Sequence, residues 1–294
     1  MQDNRILNMR QTKAHKADCG AGPRHSLATH QALATLVLTA SLALPAQAIV
    51  GGNSTSAFAA VGPTNGVQVA PDWVLTALHV VLNPGNFYSN GYGIRTVAAR
   101  YDAPNAGSFP QNDLALLRLA PAATLAPYLQ ISSDLFREGS FAGVAATIVS
   151  GGNPGNGQRG FASTSITEFV PVIDPDGSGP RLPVTANYLL SFSSSVYVEG
   201  GDSGGALFSG QVMDATSPLL GITSARLENE QRVPIGSAFV ALAAYRSWID
   251  ERMAADLADN QMLTWVSAVP EPGSLLLWAL GLVLVGGAVR RRLA

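Results

Sequence analysis

Seven residues near the middle of the second half of this chain set the terms for the rest: Glu199-Gly200-Gly201-Asp202-Ser203-Gly204-Gly205. Glycine reaches backbone conformations that a Cβ forbids, and it lets another segment approach closely. A serine held between two glycine pairs can present its hydroxyl outward while nearby backbone N–H groups converge on one point. Acyl transfer needs that arrangement: a nucleophile, and donors aimed at the oxygen that becomes negative. Taken alone, the stretch is equally a tight glycine turn.

Two further segments decide between these readings. One is Trp73-Val74-Leu75-Thr76-Ala77-Leu78-His79-Val80, and the other is Asn112-Asp113-Leu114-Ala115-Leu116-Leu117-Arg118-Leu119. With the serine turn they resemble the trypsin-like serine peptidases of the chymotrypsin family, which use the chain order His, Asp, Ser. Ile49-Val50-Gly51-Gly52 resembles that family's mature N-terminus. Leu220-Gly221-Ile222-Thr223-Ser224 resembles its substrate-binding strand, and Tyr245-Arg246-Ser247-Trp248-Ile249 its closing helix. The resemblance runs from about Ile49 to about Met253.

The two ends carry different signals. Residues 1–48 read as an export signal: a basic stretch with Arg5, Arg10, Lys13, Lys16 and Arg24, then an apolar run from Ala32 to Leu44. Pro45-Ala46-Gln47-Ala48 gives the small-x-small pattern that signal peptidase cuts. Either Met1 or Met9 serves as the start. At the other end, Val269-Pro270-Glu271-Pro272-Gly273 precedes an apolar stretch from Ser274 to Val289 and then Arg290-Arg291-Arg292. Physically this is a turn, a short membrane helix and a basic stop, oriented by the positive-inside rule. It resembles the PEP-CTERM sorting tail of Gram-negative bacteria. That implies an exosortase-type processing enzyme as partner, and a cell-envelope or extracellular destination after transient anchoring.

Removal of residues 1–48 also removes Cys19, His15, His25, His30 and both lysines. The remaining chain holds no cysteine and one histidine, His79. An exported domain of this kind rests on its core rather than on disulfide bonds. A chain of roughly 200 residues is long enough to bury one. Residues 49–268 carry 10 arginines against 17 acidic residues, a net charge near −7, which argues against nucleic acid as a partner.

Along the chain, short strands and closely spaced turn signals with one late helix predict an all-β fold. Gly52 to Gly66 reads as loops and short strands, Val67 to Val81 as a strand and a turn bearing His79. Thr96 to Tyr101, Asp113 to Leu119 and Phe141 to Ser150 read as strands, and Ala241 to Asp259 as the helix. The family resemblance implies two six-stranded antiparallel β-barrels with a C-terminal helix, the first barrel trimmed. The expected organisation is a peptidase domain over 49–255, a linker over 256–268 and the sorting tail over 269–294. Gly151 to Gly157 reads as a mobile loop. Asp174-Pro175-Asp176-Gly177 hints at calcium but lacks the downstream acid of a calcium loop, so a solvated turn is expected and no metal.

The resemblance implies roles residue by residue. His79 is the base, Asp113 its orienting acid and Ser203 the nucleophile. The backbone N–H groups of Gly201 and Ser203 form the oxyanion hole. The amine freed at Ile49 pairs with Asp202, so cleavage after Ala48 during export yields the active enzyme. Ser224 supports Asp113 and contacts substrate. Tyr197 stands where trypsin carries its acid, so preference for Lys or Arg is not expected. Arg226 stands on the pocket wall and either narrows it, favours an acidic side chain or points to solvent. No cofactor is implied. The expected activity is serine endopeptidase cleavage of a polypeptide; the alternative is a non-catalytic surface binding module on the same fold.

Overall fold

The computed structural model describes residues 8–10, 49–63, 65–107, 109–135, 143–151, 159–171, 187–212, 214–256 and 262–268. The calcium candidate at Asp174–Asp176, most of the glycine loop after Gly151 and the sorting tail from 269 onward lie outside the described residues. So do residues 1–48, apart from 8–10. No helix among the described residues is long and apolar enough to cross a membrane.

The chain is mostly β-structure, arranged as two units. The first is a six-stranded antiparallel sheet in the order Val61–Gly62, Gly66–Ala70, Trp73–Thr76, Ala115–Ala120, Gly93–Asp102, Phe87–Asn90. It curls until its ends nearly meet. Tyr88 Oη, from the last strand, reaches the carbonyls of Ala60 (3.2 Å) and Gly66 (3.0 Å), beside the first two strands. All six strands are present despite the short interval between Ile49 and His79, so the barrel is not trimmed. Trp73–Thr76 is buried on both faces, and Ala115–Leu117 likewise. This follows from their nearly unbroken apolar sequence, which suits a central strand rather than an edge. Each large side chain so buried contributes roughly 1.5–3 kcal/mol.

The second unit is a larger curled sheet. Its path runs Glu168–Pro171, Asn187–Phe192, Pro234–Ala241, Leu219–Glu228, Ala206–Ser209, Val144–Ser150, Arg159–Ile166, Asn53–Thr55. It exceeds the expected six strands and is not wholly antiparallel. Gln130–Ser132 pairs in parallel with Leu219 and with Thr264–Val266. Asn8–Arg10 lies antiparallel against Arg226–Glu228, on the outer edge of the long strand.

The expected helix is shorter than its apolar pattern suggested. Pro234–Ala241 continues as strand, Leu242–Tyr245 forms a 3-10 turn, and the α-helix covers Arg246–Ala254. Just beyond its end, Asp256 pairs with Arg118 at 2.6 Å. Much of the expected linker is also built into the domain. Thr264–Val266 is a strand, Trp265 Nε1 donates to Asp250 Oδ1 at 2.8 Å, and Ala268 N–H donates to Asp134 Oδ2 at 2.8 Å. Polar side chains on the domain surface satisfy this stretch, where a tether would leave it to water.

The two units share a core around Trp73, Leu75, Leu116, Tyr188 and Phe208. Polar ties cross between them as well. Arg159 Nε donates to Val61 O at 2.6 Å, and Tyr188 Oη donates to Pro110 O at 2.7 Å. These ties hold the loops of one sheet over those of the other.

Candidate active site

The serine turn is built from consecutive tight turns. Asp202 N–H donates to Glu199 O at 3.1 Å and Gly205 N–H to Asp202 O at 3.0 Å. Gly201 and Gly204 have φ of +105° and +82°, conformations that a side chain disfavours. Gly204 has a second reason to be glycine: a Cβ there would lie 2.3 Å from Asn65 O and 2.7 Å from Thr76 Oγ1. Gly204 N–H donates to Thr223 O, and Thr223 N–H to Gly205 O, both at 2.8 Å, which ties the turn to the long strand. Among the described residues, the backbone N–H groups of Gly201 and Ser203 donate to no protein acceptor.

His79 sits in the turn that follows Trp73–Thr76. Thr76 Oγ1 donates to Asn65 O at 2.5 Å, and Val80 N–H donates to Ala77 O at 3.0 Å. Arg100, on the strand Gly93–Asp102, straddles this turn: Nη2 donates to Leu78 O at 2.6 Å and Nη1 to Val80 O at 3.0 Å. Its Nε donates to Asp102 Oδ1 at 2.7 Å, so the fork is held on its third side. The Phe109 ring meets the imidazole edge-on, 5.4 Å between centroids at 84°.

Asp113 is 2% exposed and accepts from three donors. His79 N–H reaches Oδ1 at 3.0 Å, the ring Nδ1 lies 2.8 Å from Oδ2, and the Ser224 hydroxyl donates to Oδ2. Ser224 is the extra residue between Thr223 and Ala225 where the long strand shifts register against its neighbour, a bulge that re-aims its side chain. Tyr188 Oη stands 3.2 Å behind Ser224 Oγ. Burial pushes its phenol well above the ordinary range, and the Asp113 charge adds to this, so it stays a neutral hydroxyl. Before Asp113, Asn112 holds φ +46° with Tyr245 Oη donating to its Oδ1 at 2.8 Å and its own Nδ2 donating to Asn105 O at 3.0 Å.

These supports give one line of contacts. The Asp113 carboxylate accepts a hydrogen bond from Nδ1–H, which leaves Nε2 as an acceptor, and Ser203 Oγ lies 2.8 Å from it. His79 and Asp113 come from loops of the barrel and Ser203 from the larger sheet, so the three side chains meet at their junction. Four predicted residues, His79, Asp113, Ser203 and Ser224, are thereby brought together.

Ile49 and Asp202 lie behind the serine turn. Ile49–Val50 pairs antiparallel with Tyr197–Val198, in the register Tyr197↔Val50 and Val198↔Ile49. Asp202 is 1% exposed; Ser150 Oγ donates to its Oδ1 at 2.5 Å and Glu199 N–H to its Oδ2 at 2.7 Å. Burial pushes its carboxyl from the ordinary 3.8 up to about 7, against the pull of those two hydrogen bonds and with a push from the nearby Glu199 charge. Tyr197 is half-buried on the same short ribbon, and Val198 N–H donates to Ser237 Oγ at 3.0 Å.

Arg226 is paired on two sides rather than held as a free cation. Its Nη1 meets Glu199 Oε2 at 2.5 Å, while Nε (3.0 Å) and Nη2 both donate to Glu228 Oε1. Its charge is spent within the protein.

Arg100, Phe109, Ser150, Tyr188 and Glu199 escaped the sequence reading. The first four lie far along the chain from what they support and stand in no motif, whereas Glu199 opens the serine turn and its contacts there depend on the fold. Arg100→Lys is expected to lower kcat about tenfold with KM little changed, because an ammonium cannot bridge two carbonyls as a guanidinium fork does. Steady-state kinetics on a peptide substrate checks this; equal loss in KM would assign Arg100 to substrate binding instead.

Among known families, a model described as Trypsin matches residues 48–249, and one described as PEP-CTERM protein-sorting motif matches residues 268–292. Comparison with curated proteins gives no match.

Proposed function

The chain belongs to the trypsin family, and we propose that it is an active exported serine endopeptidase working through His79, Asp113 and Ser203. One observation carries the reading: Ser203 Oγ lies 2.8 Å from His79 Nε2 while Asp113 holds the opposite ring nitrogen at 2.8 Å. His79 accepts the Ser203 proton as Oγ bonds to the carbonyl carbon of the substrate. The carbonyl electron pair moves onto oxygen, where the N–H groups of Gly201 and Ser203 receive it. Collapse breaks the C–N bond, and the amine leaves with the proton from His79. Water, deprotonated by His79, then cleaves the ester and restores Ser203.

The outer edge of Arg226–Glu228 suits a substrate backbone added as an antiparallel strand, as Asn8–Arg10 is added. Signal peptidase cleavage after Ala48 frees the Ile49 amine, which pairs with Asp202 and shapes the loop of Gly201. The sorting motif marks an exported protein processed by an exosortase-type enzyme. Tail processing in the envelope of a Gram-negative cell, after brief membrane anchoring, completes the reading.

The test is a fluorophosphonate probe applied to the exported protein, with its N-terminus verified as Ile49. One adduct per chain, mapped by peptide mass to Ser203, is expected. A folded protein that takes up no probe would point to the binding-module alternative.

A further inference from the structure

We propose that Arg226 is a positioning residue that grips Glu199 and so fixes the loop carrying Gly201 and Ser203; this rests on the peptidase reading above. Glu199 is the residue that controls the loop's shape. Its N–H donates to Asp202 Oδ2 at 2.7 Å, and its carbonyl accepts from Asp202 N–H at 3.1 Å, so both the side chain and the backbone of Asp202 lean on it. Asp202 precedes the nucleophile directly. The Glu199 carboxylate, in turn, is held by Arg226 Nη1 at 2.5 Å.

Arg226 is a firm anchor because its guanidinium is fixed from the other side. Glu228, whose side chain is only 6% exposed, takes both Nε and Nη2. The fork leaves Nη1 aimed at the loop, a geometry that a lysine cannot supply. The same strand supports the other end of the catalytic line, since Ser224 donates to Asp113. One strand thus sets Asp113 through Ser224 and Ser203 through Arg226. The chain's single cysteine, Cys19, lies outside the domain, so no disulfide can make this tie.

The side chains of Arg226 and Glu199 are 22% and 34% exposed, and ion pairs at that exposure add little to global stability. Their removal is therefore expected to act on geometry. In the full exported chain, Arg226→Ala and Glu199→Gln should each lower kcat and the rate of fluorophosphonate labelling about ten- to hundredfold. This is somewhat less than losing an oxyanion donor outright. KM should stay within about threefold; the thermal midpoint should stay close to that of the parent in Glu199→Gln, and should fall in Arg226→Ala, which also leaves the buried Glu228 unpaired. The double variant should be no worse than the poorer single one, because both remove the same tie. Arg226→Lys should fall in between. Wild-type labelling should slow in 1 M salt, where screening acts over about 3 Å, and labelling of Arg226→Ala should not.

Variants that label at the parent rate would overturn the tie, as would losses confined to KM or losses that multiply in the double variant. A wild-type chain that does not label at all would remove the peptidase reading and this inference with it. The two failures are distinguishable by the wild-type sample alone.

Discussion

Asp113→Asn is expected to lower kcat on the order of ten-thousandfold in a chain that still folds. Three donors converge on this carboxylate: the backbone N–H of His79, its ring Nδ1–H, and the hydroxyl of Ser224. A carboxylate accepts all three. A carboxamide has one oxygen and one NH2 group, so either orientation aims N–H at a donor. With NH2 toward Oδ1, it opposes a backbone N–H that cannot give up its proton. With NH2 toward Oδ2, the ring relieves the conflict by moving its proton from Nδ1 to Nε2. That second orientation wins, and Nε2 then has no lone pair for Ser203. Kinetics on a peptide ester would show the loss in kcat with KM nearly unchanged. A loss of less than tenfold would mean that Asp113 does not act by fixing the tautomer.

The other large effect belongs to the form still joined at Ala48–Ile49. There Asp202 has no ammonium to face, and burial pushes its carboxyl up to about 7 from the ordinary 3.8. Between about pH 4 and 7 the folded state holds a proton that the unfolded state releases. This stabilisation is full below the ordinary carboxylate range and is lost as pH rises through about 7. At about 1.4 kcal/mol per unit, the change amounts to a few kcal/mol, or on the order of ten degrees in thermal midpoint. On the proposed activation, an amine freed at Ile49 would remove the effect by pairing with the carboxylate and lowering its pKa. Thermal midpoints from pH 4 to 8 should therefore fall for a Ser203→Ala chain that retains Ala48, relative to the same chain beginning at Ile49. All other groups titrate alike in both chains, so the difference isolates this pair. At pH 8 an uncleaved chain with Ser203 intact should run about a hundred- to a thousandfold slower, as an ill-formed oxyanion site would. Parallel curves and equal rates would remove the pairing.

The centre of the site was legible because its residues sit in short contexts that local chemistry explains. Ser203 needs Gly201 and Gly204 beside it, and Asp113 opens a strand that must be buried. Its supports were not legible. Arg100 is one cation in an alternating strand, and nothing in its neighbourhood names the carbonyls of Leu78 and Val80, which lie twenty residues earlier. Arg226 was visible, but its neutralisation by Glu199 depends on a register between a loop and a strand that only the folded chain sets. The helix was overdrawn because Ala241 to Ala244 is apolar in either conformation, and tertiary pairing with Gly221 made Ala241 strand. Thr264–Val266 passed for a linker because three residues carry no periodicity to read.

That small strand sets where the sorting motif joins the folded domain. Ala268 is pinned by Asp134 and by the Ser209 hydroxyl at 3.3 Å, and the sorting motif begins at the same residue. Arg246 stacks over Trp265 at 5.3 Å, which holds the strand down along its length. Tension applied through Ala268 would meet Thr264–Val266 and its parallel partner Gln130–Ser132 before it met the serine turn.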